Sequence, residues 1–214
     1  NNIRNYICIK PCGTFFQKLR FVNNYYSLAI SQYKKLIVLE DTNFELIFYN
    51  LFSKVYDLHF VNHDDIIIDY KGINLHKNYI DWTLFKLIKY NKYNNCISLC
   101  LMTYSFEKYL DLEQVYKKFD TFIDRNESLS ILLYTNDQQI IQRFKNKYEQ
   151  NRKIILLNHK NISENIYACI YSDKFIGKDL CHASSIITDL RKINNKVYII
   201  KPSGGLCNYL RVIF

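Results

Sequence analysis

Two short turns in this chain have the composition to bind a phosphate group. Lys10-Pro11-Cys12-Gly13 follows an apolar run near one end, and Lys201-Pro202-Ser203-Gly204-Gly205 follows another near the other end. Glycine lets backbone N–H groups approach a ligand closely, and the N-terminus of a following helix favours anions. A Gly-Gly turn is also an ordinary connection from a strand to a helix, and neither nucleotide-binding glycine fingerprint occurs here. The turns are therefore compatible with an anion site without specifying one.

Three further polar residues follow predicted strands, where α/β folds bind their ligands. Asp137 comes after the apolar run Ser130–Tyr134, and Ser184 and Ser185 come after Lys174-Phe175-Ile176. Serine hydroxyls at a helix start can donate hydrogen bonds to phosphate. Capping is the alternative for all three, because Asp and Ser both satisfy the first N–H groups of a helix, and for Asp137 we consider it the more common role.

The cysteines and histidines do not form a metal-binding pattern. The seven cysteines include no Cys-x-x-Cys pair, and no histidine stands near them at zinc spacing. His182 and the cluster His63-Asp64-Asp65 are typical of ordinary core, surface or turn positions. We therefore expect no metal or other cofactor. Cys8 and Cys96 lie in apolar runs as free thiols, which favours a reducing, cytoplasmic compartment.

The order of the apolar segments predicts an α/β fold. Tyr6-Ile7-Cys8-Ile9 and Leu36-Ile37-Val38-Leu39 have the composition of buried strands, and Phe16 to Ile30 has helical spacing between them. A strand, a helix and a second strand form a βαβ unit, which implies a parallel sheet. In the less regular middle we predict helices at Phe44–Phe52 and Tyr79–Tyr90 and a strand at Ile66–Ile68.

A second alternating series follows the polar segment Asn91–Asn95. We predict strands at Cys96–Met102, Ser130–Tyr134, Lys153–Leu157 and Lys174–Ile176, and helices at Glu113–Ile123, Asp137–Tyr148, Ser163–Tyr171 and His182–Ile193. Two series of this kind predict two Rossmann-like lobes, residues 1–92 and 93–193, with a cleft between them.

The composition excludes several classes of protein. Of the 214 residues, 49% are apolar and 23% are charged, so the chain is neither disordered nor a linker. No apolar run reaches the roughly 18 residues of a transmembrane helix. The net charge of +9 raises the alternative of a nucleic-acid-binding module. The lysines are scattered, however, so we do not expect nucleic acid as a partner unless they converge on one face.

The two ends of the chain contain an internal repeat. Ile9-Lys10-Pro11-Cys12-Gly13 reappears as Ile200-Lys201-Pro202-Ser203-Gly204, and the same offset aligns Leu19-Arg20 with Leu210-Arg211. The spacing is far longer than that of a solenoid repeat. We therefore expect residues 194–214 to be the strand, turn and helix start of a second, truncated copy, in a chain excerpted from a longer polypeptide.

The segment Ile200–Ile213 resembles the opening "GGLGNRLR" strand–turn–helix of the fucosyltransferase-like glycosyltransferase superfamily, which includes nodulation and protein O-fucosyltransferases. Tyr6–Leu39 is similar to the family's first βαβ unit, Leu132–Asp137 to its "LATDD" strand end, and Phe175–Ser185 to its late "GSxxSSFS" motif. The resemblance implies two Rossmann-like lobes of glycosyltransferase B type. It also implies inverting transfer of a sugar from a nucleotide donor such as GDP-fucose to a glycan or glycoprotein, without a metal.

The resemblance places a set of substrate-binding residues in the cleft: Lys10, Gly13, Arg20, Asp137, Ser184 and Ser185. The family carries an "HxRRxD" signature where this chain has Ile97–Thr103, with no His, Arg or Asp, and only Arg20 and nearby lysines could replace those arginines. We therefore interpret this copy as degenerate. The leading hypothesis is a nucleotide-sugar-dependent glycosyltransferase-like region. The alternative is a non-catalytic domain that supports or recruits an active downstream copy in the same polypeptide.

Overall fold

The computed structural model describes residues 5–61, 85–86, 92–102, 112–157, 161–178 and 181–193, and the backbone of residues 199–200 and 210–213. The chain divides into two compact units, Asn1–Lys86 and Leu87–Phe214. Their described parts contain six helices and two sheets built on parallel strands, so the α/β prediction is confirmed and the fold is compatible with a Rossmann-like one. None of the helices so described is both long and apolar enough to cross a membrane.

The first unit alternates strands and helices around a three-stranded sheet. Its elements are β1 (Tyr6–Ile9), α1 (Phe15–Ser31), β2 (Lys35–Leu39), α2 (Thr42–Leu51) and β3 (Leu58–Val61). The strands are parallel in the order β1-β2-β3. The sequence predicted every one of these elements except β3. That strand has only four residues, one of them an exposed histidine, and therefore lacks the apolar run that marks β1 and β2.

Aromatic side chains form much of the core of this unit. The ring of Phe48 lies 4.7 Å from that of Phe52 and 5.1 Å from that of Phe60, measured between centroids. The N-terminus of α2 is fixed beside this cluster, because the Asp41 side chain accepts a hydrogen bond of 2.7 Å from the backbone N–H of Phe44. Such a cap satisfies an N–H group that the helix cannot pair internally.

The helix predicted at Tyr79–Tyr90 was wrong at the two positions that the structure describes there. Phe85 forms an isolated antiparallel bridge with Phe52, and the backbone N–H of Lys86 donates to the carbonyl of Leu51 at 2.8 Å. The Phe85 ring is buried 5.8 Å from that of Phe52, so tertiary packing decides the backbone conformation. The rest of that helix and the strand predicted at Ile66–Ile68 lie outside the described residues.

The second unit contains the longer alternating series. Its elements are β4 (Cys96–Cys100), α3 (Leu112–Asp124), β5 (Ser130–Tyr134), α4 (Gln138–Tyr148), β6 (Ile154–Leu156), α5 (Ile162–Tyr171), β7 (Lys174–Lys178), α6 (His182–Ile193), β8 (Ile199–Ile200) and β9 (Leu210–Ile213). The strand order is β6-β5-β4-β7-β9-β8, and β6, β5, β4 and β7 are parallel. The four strands and four helices predicted between residues 96 and 193 are confirmed within a few residues.

The chain end beyond α6 corrects one prediction. Leu210–Ile213 is a strand that pairs antiparallel with β7 and with β8, where the resemblance predicted the start of a helix. β-branched Val212 and Ile213 favour an extended backbone, and the edge of β7 away from β4 presents N–H and C=O groups with which another strand can pair. Leu19-Arg20, the aligned residues of the proposed first copy, lie inside α1. The two aligned segments therefore differ in local structure.

The two faces of β4 are chemically different. Ile97, Leu99 and Leu101 belong to a hydrocarbon core that α3 and α4 complete, with Phe119 and Phe144 fully buried in it. Residues alternate between faces along a strand, so Ser98 and Cys100 lie on the opposite face. There the Ser98 hydroxyl contacts that of Ser172 at 2.6 Å. Helices thus cover both faces, as in doubly wound α/β folds.

A buried arginine joins α5 to α6. The Arg191 side chain is completely buried, and its Nη1 donates to the carbonyls of Cys169, Ile170 and Ser172 at 2.8 to 2.9 Å. These carbonyls belong to the end of α5, where partial negative charge accumulates and favours a cation. Burial lowers the pKa of Arg191 to about 10, so the guanidinium stays charged at neutral pH.

We predict that Arg191→Met will destabilise the chain by about 3 kcal/mol or more, because it leaves several buried carbonyls without a donor. Urea unfolding monitored by circular dichroism measures the change. Lys192→Met is the matched control. Lys192 is exposed and lies 3.6 Å from Asp189, so its loss should cost less than about 1 kcal/mol. Equal stability of the Arg191→Met variant and the control would contradict the prediction.

A second polar network joins α3 to α4. Asp120 accepts hydrogen bonds from Arg143 Nη2 at 2.8 Å and from the Tyr148 hydroxyl at 2.7 Å, and Lys147 Nζ lies 2.7 Å away. The Arg143 guanidinium also stacks 4.1 Å from the centroid of the Tyr116 ring. Burial alone would raise the pKa of Asp120, but its three donors together hold it below the usual value.

The lowered pKa of Asp120 predicts a pH-dependent contribution to stability. The contribution is complete above the ordinary carboxyl pKa of about 4 and is lost as the pH falls through the lowered folded-state value. Asp120→Asn should therefore cost about 2 kcal/mol at pH 7 and progressively less below pH 4. Urea unfolding as a function of pH tests this. Asp124→Asn, at an exposed position on the same helix, is the control, and a pH-independent cost of Asp120→Asn would exclude the mechanism.

Candidate functional site

The sheet of the second unit reverses its direction of growth between β4 and β7. From β4 the chain adds β5 and β6 on one side, and then returns through α5 to place β7 on the other side. Parallel α/β sheets bind ligands at the carboxyl ends of the strands beside such a reversal, because the two helices diverge there. β4 ends at Cys100, Gly177 lies near the end of β7, and Cys181 immediately precedes α6.

The start of α6 packs directly against β7. A Cβ atom added to Gly177 would lie 2.6 Å from both Cβ and Oγ of Ser184, which is closer than real Cβ contacts. Ser184 is completely buried, and its hydroxyl donates to the Cys100 carbonyl at 3.4 Å. Ser185 is half-buried, and its backbone N–H makes the first α-helical hydrogen bond to the Cys181 carbonyl at 2.9 Å. The two predicted serines therefore have different environments.

Two thiols meet at this helix start. Cys100 and Cys181 are buried, their side chains hydrogen-bond each other, and both are free cysteines. The Cys100 thiol and the backbone N–H groups of Ser184 and Ala183 lower the pKa of Cys181, although burial opposes them. Burial, together with its neighbour, raises the pKa of Cys100. The sequence did not reveal this pair, because only the parallel register of β4 and β7 brings the two cysteines together.

Asp137 is the N-cap of α4, as the capping interpretation predicts. Its Oδ1 accepts a hydrogen bond of 2.8 Å from the N–H of Gln139, and its side chain is half-buried. The neighbouring Thr135 hydroxyl donates to the Leu101 carbonyl at 2.7 Å, so the carboxyl ends of β5 and β4 are tied together. Capping occupies one carboxylate oxygen of Asp137. A role in substrate binding stays a prediction.

The other predicted residues belong to the first unit. Lys10 is exposed just after β1, Gly13 lies in the turn that follows, and Arg20 lies half-buried further along α1. Gly13 has a φ of +93°, and a Cβ there would lie 2.4 Å from Oε1 of Gln17, so the turn requires glycine. The same Gln17 oxygen accepts a hydrogen bond of 2.8 Å from the N–H of Thr14.

An ion pair at the carboxyl end of β2 was not predicted. Glu40 follows β2 directly, and both its oxygens contact the ammonium of Lys18 on α1, the nearer at 2.5 Å. In dinucleotide-binding folds an acidic residue near this position binds a ribose hydroxyl, whereas here the carboxylate already has a cation as partner. The detectable signal was an acidic residue immediately after the apolar run Leu36–Leu39.

Lys10, Gly13 and Arg20 thus belong to one unit, and Asp137, Ser184 and Ser185 belong to the other. Asp137 follows β5 and the two serines lie in α6, which follows β7, so all three come after the strands that flank β4 in one sheet. Within the part of the chain that the structure describes, no group of three or more His, Cys, Asp or Glu side chains could hold a metal ion. No protein-family model matches this chain, and no curated protein matches its sequence significantly.

We predict that Gly177→Ala will destabilise the chain by about 1 to 3 kcal/mol, because the added methyl group overlaps Ser184. Ser184→Ala retains the Cβ atom and should not relieve the overlap. Ser184→Gly removes it, so Gly177→Ala should cost less in the Ser184→Gly background than in the Ser184→Ala background. Urea midpoints of the single and double variants measure the difference. Equal costs in both backgrounds would disprove the close packing of α6 on β7.

Proposed function

We propose that this chain is a glycosyltransferase-like region of the fucosyltransferase type, which binds a nucleotide diphosphate sugar at the carboxyl edge of the second unit's sheet. The observation that carries the proposal is the strand order β6-β5-β4-β7, since nucleotides bind beside a reversal of this kind. The proposal includes the two-lobed glycosyltransferase B architecture, a donor such as GDP-fucose, and a glycan or glycoprotein acceptor.

The residues at this edge would act on the donor by hydrogen bonding. The start of α6 offers the positive end of a helix dipole, and the half-buried Ser185 stands in its first turn. The carboxylate of Asp137, which retains acceptor capacity beside its capping bond, would bind sugar or ribose hydroxyls. Buried Ser184 would instead hold the helix in place through its bond to Cys100.

A non-catalytic domain that supports or recruits a downstream copy is the second candidate. It is favoured by the carboxyl end of β4, where Leu99, Cys100 and Leu101 are all buried and none carries a positive charge. The departing nucleotide diphosphate must be stabilised by Arg, Lys, backbone N–H groups or a metal. A domain of this kind would keep the fold and lose the transfer chemistry.

Ligand-dependent thermal stability separates the two candidates. We predict that GDP and GDP-fucose will raise the Tm of the chain in proportion to the logarithm of their concentration above Kd, by an amount equivalent to roughly 2.7 kcal/mol at 100 Kd, whereas UDP and ADP will have smaller effects. Ser185→Ala should weaken this response. Ser163→Ala, which makes the same change in the first turn of α5, should not.

Asp137→Asn adds a second test, because asparagine caps a helix as well as aspartate does. The variant should keep wild-type stability without ligand and respond less to GDP-fucose. No Tm shift with any nucleotide, from a chain that unfolds cooperatively, would exclude the donor-binding proposal and favour the non-catalytic candidate. A shift without transfer of labelled sugar to a glycoprotein mixture would favour a binding domain without catalysis.

A further inference from the structure

Aromatic and basic side chains converge at the amino edge of the first unit's sheet. Its three strands are parallel, so their first residues meet at one edge, opposite the edge that Lys10 and Gly13 follow. Six tyrosines and lysines begin or shortly precede the strands here, and we call them the aromatic–basic edge: Tyr6, Tyr33, Lys34, Lys35, Lys54 and Tyr56. The nucleic-acid alternative requires a convergence of lysines of this kind.

The three tyrosines of this edge are exposed to solvent. Tyr33 exposes 98% of its surface, Tyr56 exposes 76% and Tyr6 exposes 40%. Every other tyrosine in the part of the chain that the structure describes is buried or half-buried. Large apolar groups that are exposed together, with charged residues around them, are typical of a binding surface.

Tyr33 has a backbone conformation that the fold alone would not favour for a tyrosine. It follows the C-cap residue of α1 with a φ of 55°, and the N–H of Lys34 donates to the Ala29 carbonyl at 2.9 Å. This Schellman arrangement favours glycine at that position, and a bulky residue with a positive φ is rare. The ring is almost wholly exposed, so packing against the chain offsets little of the strain. Strained residues concentrate at functional sites, which indicates a contact outside the chain.

A lysine stacks on the ring of Tyr56. The ammonium of Lys35 lies 3.5 Å from the ring centroid, within the range of a cation–π interaction. Tyr6 is the register partner of Lys35 on β1, so these two side chains lie on the same face of the sheet. Tyr56 foremost, with Tyr6 and Asp57, raises the pKa of Lys35 although desolvation opposes them, so the ammonium stays charged at neutral pH. The edge therefore combines a fixed cation with an accessible ring.

Single-stranded nucleic acid has the chemistry that this surface fits. Its unpaired bases offer planar faces that stack on aromatic side chains, and lysines neutralise its phosphates. We propose that the aromatic–basic edge binds single-stranded nucleic acid, with bases stacked on its exposed rings and phosphates held by its lysines. A duplex keeps its bases stacked on each other and presents only its phosphates to such a surface. The proposal does not depend on the nucleotide-sugar site, whose residues lie elsewhere.

Fluorescence anisotropy with labelled thymidylate and uridylate oligomers of about 12 nucleotides tests the proposal on the 214-residue chain. We expect one or both to bind at least about tenfold more tightly than a duplex of the same length, because two rings each stack on a base. The preferred oligomer distinguishes DNA from RNA. Absence of oligomer binding at about 50 mM salt would overturn the proposal. Equal affinity for the duplex or for heparin would also overturn it, and so would binding of phosphatidylserine vesicles in place of the oligomers.

Tyr33→Gly separates binding from folding. Glycine suits a positive φ, so the Tm without ligand should rise or stay unchanged. The Kd for the preferred oligomer should nevertheless rise at least about fivefold, because one stacking ring is lost. Tyr33→Phe keeps an aromatic face and should bind within about twofold of the wild type. Wild-type affinity of the Tyr33→Gly variant would overturn the stacking role of this ring.

The salt dependence of binding tests the lysines. Each phosphate contact contributes about 0.7 to the slope of log Kd against log salt concentration, so the three lysines predict a slope of about 2. The double variant Lys34→Gln/Lys54→Gln should lower it to about 0.7. Lys117→Gln/Lys153→Gln makes the same charge change at exposed lysines of the second unit and should keep the wild-type slope. Equal slopes for the two double variants would overturn the placement of the phosphates at this edge.

Discussion

The arrangement of the second unit depends on the buried charge of Arg191. Its guanidinium has backbone carbonyls as partners and reaches the Asp173 carbonyl, at 3.3 Å, as well as the end of α5. Asp173 in turn donates its N–H to the Cys96 carbonyl at 3.0 Å and accepts a bond from the N–H of Asn95 at 2.9 Å. A charge excluded from water must be surrounded by dipoles, so its burial fixes α5, α6 and the first residues of β7 and β4 relative to each other.

The geometry of the candidate site follows from the way in which Arg191 positions β7, β4 and α6. Once β7 begins beside the start of β4, their parallel register places Gly177 beside Cys100 at the other end of the pair. Gly177 has no side chain, so the start of α6 can pack closely enough on β7 for Ser184 to contact the strand. This packing also brings Cys181, the residue before α6, into contact with Cys100. An arginine at one edge of the sheet thus fixes the position of a thiol pair at the opposite edge.

The sequence predicted the local structure well and the long-range structure poorly, for physical reasons. Apolar runs and helical spacing located the elements of the second unit, and Asp137 was correctly interpreted as a cap because capping is a local interaction. Arg191 gave no signal, since arginine on a helix is ordinarily exposed and its carbonyl partners are about twenty residues away in sequence. The contact of Cys100 with Cys181 could be predicted only from the strand order, which is a long-range property. The strand β9 likewise depends on a long-range interaction, its antiparallel pairing with the edge of β7.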